Sequence, residues 1–567
     1  MALILVKFLN QSLPVMLRTI LFFMGVMMPV MMLAKENSEP GVNWGSWPSW
    51  GDQGDGSYRN PVLPMDYSDI DCIRIGEDYY AISSTFQFSP GVVILHSKDL
   101  VNWRIAGHVI SDVAQIGPEM NWDCMDRYGS GVWAGAIRYH AGKFWVYFGT
   151  PQEGFFMSTA ENIKGPWTPL HSVMKASGWD DCCPFWDDDG KGYFVCTQFV
   201  VDPANGRKYN IHLFKLTGDG RNLVPDSDII IHQSPGSEAN KFYKIDGLYY
   251  HFFSEVKPGE GRVVMMRRAK NIQGPYETRQ LSHAQRVAME PNQGGLVQTP
   301  SGAWYFLTHH GTGQWEGRAA SLLPVTWIDG WPILGSPDRF GVGNMVWSAR
   351  KPDVGMPVVV PQTSDEFSDV VLAPQWEWNY QPRADKWSLL ARPGFLRLEA
   401  FRPLERDNLL KVGNVITQRS IRTSDCVVVT RFETEGMADG QHAGLCHFSA
   451  LRRKESPAAA SASLGIVQVG KERFIEFSHN GEFRRGPALT TPVVWLRSTW
   501  GLDGVSQFSF STDGETFSPF GEPYQLVWGS YRGDRVGLFT YNNLTDTGTV
   551  DIDWLNFDFS GPQRRSK

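Results

Sequence analysis

Short runs of apolar and aromatic residues, rich in Val, Ile, Tyr, Phe and Trp, recur along the chain, separated by Gly, Asp, Asn and Pro. Runs with helical periodicity are scarce. Short apolar segments bounded by turn residues are typical of β-strands. The pattern therefore predicts an all-β protein.

One hairpin-like unit, made of an apolar strand, a turn containing Gly or Asp and an aromatic pair, occurs five times in the first part of the chain. The copies are residues 73–80, 137–145, 185–194, 242–250 and 296–305. A second turn unit follows three of them, at residues 97–103, 160–167 and 269–276. Regular repetition of a small sheet predicts a radial array, and a five-bladed β-propeller is the simplest such architecture. A β-sandwich with coincidental hairpins is the alternative.

In a propeller the innermost strand of each blade lines a central channel, so a functional group should recur just before each hairpin. The residues ten to twelve positions before the aromatic pairs are Asp69, Trp133, Asp181, Glu238 and Gln293. Buried carboxylates are costly unless paired, so three acids directed at one axis indicate chemistry or metal binding. Asp71, on the same face of an ideal strand as Asp69, is the main alternative to it. The acidic run at residues 187–190 is predicted to be only a hairpin turn.

Several motifs, in order along the chain, together resemble glycoside hydrolase family 43. They are residues 66–71, 132–134, 179–181 ahead of 185–190, 237–244, and 317–318 followed by 323–332. The resemblance implies a five-bladed propeller and inverting hydrolysis, with Asp69 as general base, Glu238 as general acid and Asp181 as the acid that tunes Glu238. It also implies that Phe86 and Trp133 stack on the sugar and that Arg318 contacts the substrate. Gln293 is placed with these substrate-binding residues.

The chain departs from the family pattern in three places. Ser68-Asp69-Ile70 replaces Pro-Asp-Pro around the base, and Glu238-Ala239-Asn240 replaces Glu-Gly-Pro around the acid. Some relatives carry a central His that ligates calcium or organises water, where this chain has residues 292–295, Asn-Gln-Gly-Gly. No cofactor is therefore predicted, and calcium lacks support from the sequence. His309 and His310 are expected to hydrogen-bond or pack.

Inverting hydrolysis needs two carboxyl groups about 6.5–9.5 Å apart, one activating water and the other protonating the leaving oxygen. An ionised Asp181 beside Glu238 would raise the pKa of Glu238, because like charge disfavours a second ionisation. Opposite walls of a narrow channel could provide the gap between Asp69 and Glu238.

A Pro-rich linker around residues 352–361 separates a second β-rich region. Alternating segments with regular turns predict a β-sandwich of jelly-roll type. It resembles the concanavalin-like C-terminal domain of many family 43 xylosidases and arabinofuranosidases. Bracing the propeller is the favoured role, and sugar binding is the alternative. The predicted division is a signal peptide (1–34), a linker (35–57), the propeller (58–345), a linker (346–362) and the sandwich (363–561).

The N-terminus has the features of an export signal. Lys7 and Arg18 precede the apolar run 19–32, and Ala34 offers a small residue at a cleavage point. An uncleaved membrane anchor is the alternative. A secreted or periplasmic protein without membrane insertion after cleavage is therefore predicted.

Composition narrows the function further. The formal net charge of -7 argues against a nucleic-acid partner, which a basic surface would attract. The 22 Trp suit surfaces that face carbohydrate. The seven Cys show no zinc spacing and are expected to be mainly structural, with one or two disulfides as an option.

The sequence therefore predicts a secreted, exo-acting glycoside hydrolase with a carbohydrate as its partner. α-L-Arabinofuranosyl residues of plant cell-wall polysaccharides are favoured as substrate, with β-xylosyl residues next. The alternative is a non-catalytic carbohydrate-binding propeller of a polysaccharide uptake system. The oligomeric state is left open.

Overall fold

The computed structural model describes residues 49–202, 206–284, 293–311, 315–451, 458–529 and 531–562. Within these ranges the regular structure is β-strand, which confirms the predicted all-β class. The helical segments found there are four short 3-10 turns: Val113–Gln115, Pro118–Met120, Ala384–Lys386 and Leu409–Lys411. None is long and apolar enough to cross a membrane. The predicted signal peptide lies outside the described residues.

The first part of the chain forms five sheets, each with four main strands that follow one another in chain order and pair antiparallel. Sheet 1 contains Asp71–Ile75, Asp78–Ser83, Gly91–Ser97 and Trp103–Ile110. Sheet 2 contains Gly135–His140, Lys143–Thr150, Gly154–Ala160 and His171–Lys175. Sheet 3 contains Trp179–Trp186, Gly192–Asp202, Gly206–Lys215 and Ile229–Ser234. Sheet 4 contains Ser237–Ile245, Leu248–Lys257, Gly261–Ala269 and Glu277–Ser282, extended by Gly343–Asn344 and Ser336–Pro337. Sheet 5 contains Gly294–Gln298, Trp304–Gly311, Arg318–Ile328 and Trp331–Leu334, and the early strand Leu63–Asp66 pairs with it.

Each predicted hairpin repeat is the first hairpin of one of these sheets. The acidic run is a turn, as predicted, since Gly190 has a φ of 79° and donates its N–H to the carbonyl of Asp187.

The sheets pack against one another through apolar residues. Gly154–Ala160 is buried at every position, because apolar residues cover both faces of an inner strand. Phe185 of sheet 3, for example, packs against Phe242 of sheet 4 with ring centroids 5.6 Å apart.

The second part of the chain forms two further sheets. The eight-stranded sheet contains, in spatial order, Glu482–Leu489, Glu472–His479, Ala458–Val469, Gln441–Leu451, Arg535–Asn542, Val415–Arg419, Glu377–Asn379 and Phe88–Ser89. The other contains Trp387–Ser388, Leu396–Glu399, Thr549–Phe559, Cys426–Glu433, Val493–Trp500, Val505–Ser511 and Ser518–Pro519, with Tyr524–Gln525 paired beside it. Burial alternates strictly along Cys426–Glu433, as expected of a strand with one face on a core. We call these two sheets the sandwich.

A strand of the first part of the chain pairs with the sandwich and so joins the two parts. Phe88–Ser89, which follows sheet 1's second strand, is the edge strand of the sandwich's eight-stranded sheet. Gly51–Asp52, Ser57–Arg59 and Ser348–Arg350, which fall at or near the predicted linkers, form a small three-stranded sheet of their own.

A buried carboxylate also lies at this junction. Glu377 of the sandwich ion-pairs with Arg419 at 2.9 Å and with Arg535 at 2.7 Å. It also contacts the ring of His108 from sheet 1 at 3.2 Å. The neighbouring guanidinium groups hold the pKa of Glu377 below its ordinary value, against the opposing effect of burial.

All seven Cys have free thiols, so the one or two disulfides that the sequence left open are not formed. Six of them are buried. Burial raises the pKa of thiols such as Cys72 and Cys446, so these side chains act as small apolar residues.

Candidate active site

The five positions singled out by the repeat lie at the same end of the five sheets. Asp69, Trp133 and Gln293 come one or two residues before the first strands of sheets 1, 2 and 5. Asp181 and Glu238 lie near the beginning of the first strands of sheets 3 and 4. The shared offset in the sequence is therefore a shared position in the fold.

Asp69 is held by groups that favour a carboxylate. Arg318 Nη1 donates to its Oδ1 at 2.8 Å, and Ser84 Oγ donates to its Oδ2 at 2.7 Å. Its backbone N–H donates to Nδ1 of His309 at 2.6 Å. The φ of 56° at Asp69, a left-handed value that is uncommon outside glycine, turns the chain at this point. A charged, oriented carboxylate is what a general base requires.

Asp71, the alternative to Asp69, is hydrogen-bonded to residues of sheet 2. Its carboxyl is fully buried, and its Oδ2 accepts from Arg138 Nη1 at 2.7 Å and from the backbone N–H of Ile137 at 3.0 Å. These contacts give Asp71 a structural partner between sheets 1 and 2, and they favour Asp69 as the residue that faces a substrate.

Asp181 sits in a β-bulge, where the register between the first two strands of sheet 3 shifts. Its φ is 52°, and its Oδ1 accepts from the amide of Gln293 at 2.9 Å. Burial, followed by the charges of Glu238 and Asp69, raises the pKa of Asp181 to about 7. The three predicted acids are therefore close enough to interact electrostatically.

Glu238 lies at a second bulge, in sheet 4, and is the most exposed of the three acids. Its Oε1 lies 2.9 Å from Nη1 of Arg262, which also donates to Ser254 at 3.1 Å. Arg262 is a site residue that the sequence reasoning missed, because it is one of several basic residues on an ordinary strand.

The residues that replace the family's Gly-Pro after the acid have defined contacts. Asn240 donates its amide to the carbonyl oxygen of Asp181 at 2.9 Å and to Thr197 Oγ1 at 2.8 Å. His251 bonds the amide oxygen of Asn240 at 2.9 Å, and Arg267 bonds the other nitrogen of that ring. This buried chain ties the bulge of Glu238 to the bulge of Asp181.

Asp180 is a second residue that the sequence reasoning missed. It is 5% exposed, and its Oδ1 is fully buried and accepts no hydrogen bond from the described residues. Burial, followed by the charge of Asp181, raises its pKa well above the ordinary value. Burial and the neighbouring negative charges therefore favour the protonated form of Asp180.

Aromatic residues pack together at the site, where Trp133 and Tyr531 are accessible and Phe86 is only 2% exposed. Phe86 has a φ of 56° and its backbone pairs with that of Val132, next to Trp133. The ring of Tyr531 lies edge-on to Trp133 with centroids 6.2 Å apart, and the guanidinium of Arg318 lies 5.4 Å from the same tyrosine ring. Tyr531 comes from the sandwich, nearly 400 residues from Trp133, and no repeat or local motif could have indicated it.

The two histidines predicted to hydrogen-bond or pack are both neutral. Burial lowers the pKa of His309 well below its ordinary value and lowers that of His310 to about 3. His309 accepts from the backbone of Asp69, and His310 bonds Ser321 Oγ at 2.8 Å.

The residues at the centre do not fit a calcium ion. Gln293 directs its amide nitrogen, a donor, at Asp181. The ammonium group of Lys241 is fully buried nearby and lowers the pKa of Asp181 electrostatically. Among the described residues no group of three or more His, Cys, Asp or Glu side chains could hold a metal ion.

The arrangement can carry out acid–base chemistry on a neutral ligand. It joins a carboxyl group oriented by Arg318 and Ser84, a more exposed carboxyl and a buried acid whose pKa is raised, beside aromatic rings. Aromatic faces and an Arg suit the apolar faces and hydroxyl groups of a sugar.

Two family models match the chain. The model described as glycosyl hydrolases family 43 matches residues 58–332. The model described as the β-xylosidase C-terminal concanavalin A-like domain matches residues 364–558.

Curated and solved proteins agree with these matches. A β-xylosidase of Formosa agariphila is 34% identical over 91% of this chain and 92% of its own length. A non-reducing end α-L-arabinofuranosidase of Bacteroides ovatus is 31% identical over 60% of this chain and 65% of its own length. A solved structure from Bacteroides eggerthii, described as a bifunctional GH43-CE protein, has a TM-score of 0.75 and 27% identity, covering 88% of this chain and 64% of that one.

Proposed function

The chain belongs to glycosyl hydrolases family 43, and from this premise we propose that it is an exo-acting, inverting hydrolase of terminal pentose residues. The observation that carries the proposal is the position of Asp69, Asp181 and Glu238. They lie at one end of the five sheets, close enough for the charges of Asp69 and Glu238 to raise the pKa of Asp181. A complete set of three acids does not favour the alternative of a binding module without catalysis.

In this proposal Asp69 is the general base and Glu238 the general acid. Arg318 and Ser84 orient the Asp69 carboxylate so that it can take a proton from water. Glu238, with its more exposed carboxyl, protonates the oxygen of the departing group. The Glu238 carboxyl lies between charges of opposite sign, with Arg262 Nη1 at 2.9 Å from it and Asp181 close enough to interact with it electrostatically.

The exo mode is supported by the sandwich. Tyr531 lies against Trp133 and Arg318, and we propose that this segment of the sandwich closes one side of the site. A site closed on one side accommodates a terminal residue.

We also propose that the five sheets are the blades of a closed propeller. The order of strands supports this, and so does the packing of sheet 5 on sheet 1. A Cβ on Gly295 would lie 2.3 Å from the backbone N of Cys72. The early strand Leu63–Asp66 pairs with sheet 5, which joins the two ends of the ring.

The proposed sugars are β-D-xylosyl and α-L-arabinofuranosyl residues of plant cell-wall polysaccharides or oligosaccharides. The similar protein from Formosa agariphila is named a β-xylosidase, and the one from Bacteroides ovatus is named an arabinofuranosidase. The preference for arabinose that the sequence suggested stays a prediction.

The test is hydrolysis of aryl β-D-xyloside and aryl α-L-arabinofuranoside by the purified protein, followed by product analysis on arabinan, arabinoxylan and xyloglucan. The proposal predicts release of free pentose as the first product. Release of oligosaccharides without free pentose would contradict the exo mode, and binding without turnover would restore the binding module.

Export from the cytoplasm is likewise proposed, supported by the charged and apolar pattern of residues 1–34. N-terminal sequencing of the protein from culture medium or periplasm should show cleavage near Ala34. Recovery of the uncleaved chain in the membrane fraction would favour the anchor.

A further inference from the structure

Arg532, the neighbour of Tyr531 in the sandwich, is a buried cation without an ion pair among the described residues. It is 1% exposed, and its guanidinium makes one side-chain hydrogen bond, from Nη2 to the amide oxygen of Gln87 at 2.6 Å. Its Nε and Nη1 are buried without any acceptor in the described part of the chain. Asp66 acts on this cation electrostatically, but its Oδ1 accepts from the backbone N–H of Arg318 and from Ser68 Oγ.

Aromatic rings surround this cation. The guanidinium carbon lies 4.4 Å from the ring centroid of Phe86, 4.8 Å from that of Phe88 and 5.1 Å from that of Tyr128. Cation–π attraction strengthens when the cation is desolvated. Burial lowers the pKa of Arg532 to about 10, so the side chain remains charged at neutral pH.

The same side chain is connected to a second aromatic residue of the site. The amide oxygen of Gln87 accepts from Arg532 and from the backbone N–H of Gly129. The carbonyl oxygen of Gly129 in turn accepts from the indole N–H of Trp133 at 3.1 Å. Arg532 therefore contacts Phe86 directly and reaches Trp133 through three hydrogen bonds, by way of Gln87 and Gly129.

A buried guanidinium with two unused donor groups costs stability, and a fold retains such a group where it serves function. We propose that Arg532 is a positioning residue of the active site, which holds the buried ring of Phe86 and, through Gln87 and Gly129, fixes the ring of Trp133 for stacking on a terminal pentose. The sandwich thereby shapes the sugar pocket and does more than brace the propeller. The inference rests on the proposed function, since it takes Trp133 as a sugar-stacking residue.

The test compares Arg532→Met and Arg532→Lys with the control Arg535→Met, all in the full-length chain. Arg535 is equally buried and also contacts Phe88, at 4.2 Å, but it is ion-paired with Glu377 and makes no ring contact with Phe86. The readouts are KM and kcat on the aryl glycosides, the dissociation constants of free xylose and arabinose by calorimetric titration, and Tm.

For Arg532→Met we expect KM and the pentose dissociation constant to rise about tenfold with little change in kcat, because Phe86 loses the planar guanidinium packed on its ring and Gln87 loses its hydrogen bond. Tm should stay the same or rise, because an unpaired buried charge has been replaced by an apolar side chain. Arg532→Lys, which keeps the charge but not the planar group, should show the same loss of affinity. Arg535→Met should lower Tm and leave KM unchanged.

Unchanged KM and pentose binding in Arg532→Met would overturn the inference, as would a lowered Tm without loss of affinity, which indicates a purely structural role. The titration needs no turnover. A wild-type protein that binds pentose but hydrolyses neither glycoside would therefore contradict the proposed function, while weaker binding by Arg532→Met would still support the positioning role.

Discussion

At the scale of single residues, Glu238 is subject to two opposed influences. Arg262 lies 2.9 Å from its carboxyl and favours the charged form, whereas Asp181 repels that charge. The role of Glu238 as proton donor can be isolated chemically, since a good leaving group needs no protonation.

Glu238→Gln should therefore lose activity in proportion to how basic the leaving group is. We expect a loss on the order of 10³-fold on an unactivated xylo- or arabino-oligosaccharide and a much smaller loss on a dinitrophenyl glycoside. The measurement is kcat/KM across a series of aryl glycosides. An equal loss on every leaving group would exclude Glu238 as the acid.

The raised pKa of Asp181 affects the stability of the folded protein as well as its activity. Its pKa is raised in the folded state, from an ordinary 3.8 to about 7, so the folded protein is favoured below pH 3.8 and loses this contribution as pH rises through 7. Asp181→Asn should accordingly raise Tm at pH 8 more than at pH 4 while abolishing most activity. Asp369→Asn, which changes an exposed acid, is the control and should change neither. A lower Tm for Asp181→Asn at pH 8 would contradict this reading.

At the scale of elements, the site is assembled from strand beginnings, two bulges and one segment of the sandwich. Asp181 and Glu238 each sit where a strand shifts register, which turns their carboxyl groups out of the regular alternation. Residues 531–534 reach the site from between two sandwich elements, and Asp534 donates its N–H to the carbonyl of Trp315 there.

Replacing Tyr531 tests whether this segment forms part of the pocket. Tyr531→Ala should raise KM about tenfold with little effect on kcat, because Trp133 and Arg318 lose a packed ring. Tyr531→Phe retains the ring and should stay close to wild type. The measurement is KM and kcat of both variants on the two aryl glycosides. A wild-type KM for Tyr531→Ala would show that the Tyr531 ring is not part of the pocket.

The repeat in the sequence was sufficient to predict the all-β class, the five hairpins and the common position of Asp69, Asp181 and Glu238. That information is local, since each hairpin is a short segment with its own turn. Arg262 could not be predicted, because nothing distinguishes it from other basic residues on strands. Tyr531 and Arg532 could not be predicted either, because their contacts depend on how a distant segment packs against sheet 1. The raised pKa of Asp180 follows from burial, which spacing along the sequence does not reveal.

At the scale of the whole molecule, the sandwich and the five sheets share buried polar contacts. Glu377 joins Arg419 and Arg535 of the sandwich to His108 of sheet 1. Because its pKa is lowered in the folded state, its contribution to stability is present above its ordinary value of 4.5 and is lost only as pH falls through the lower folded value.

Glu377→Gln should destabilise the protein by about 3–5 kcal/mol at pH 7, because it leaves two buried guanidinium groups without their shared carboxylate. Urea unfolding followed by tryptophan fluorescence measures this change. Glu399→Gln alters a half-exposed acid 3.9 Å from Lys386 and should cost less than about 1 kcal/mol. Equal stability of the two variants would show that the junction does not depend on this cluster.

The proposed mechanism depends most on Asp69 being the catalytic base, with Asp71 a structural residue. The direct measurement is kcat/KM of Asp69→Asn and Asp71→Asn on the better aryl glycoside, together with Tm for each variant. We expect Asp69→Asn to lose on the order of 10³-fold in kcat/KM with a wild-type Tm. Asp71→Asn should lower Tm, because Arg138 loses its buried partner, and should keep much more activity. A folded Asp69→Asn variant with near wild-type kcat/KM, beside an inactive Asp71→Asn variant with a wild-type Tm, would contradict the account.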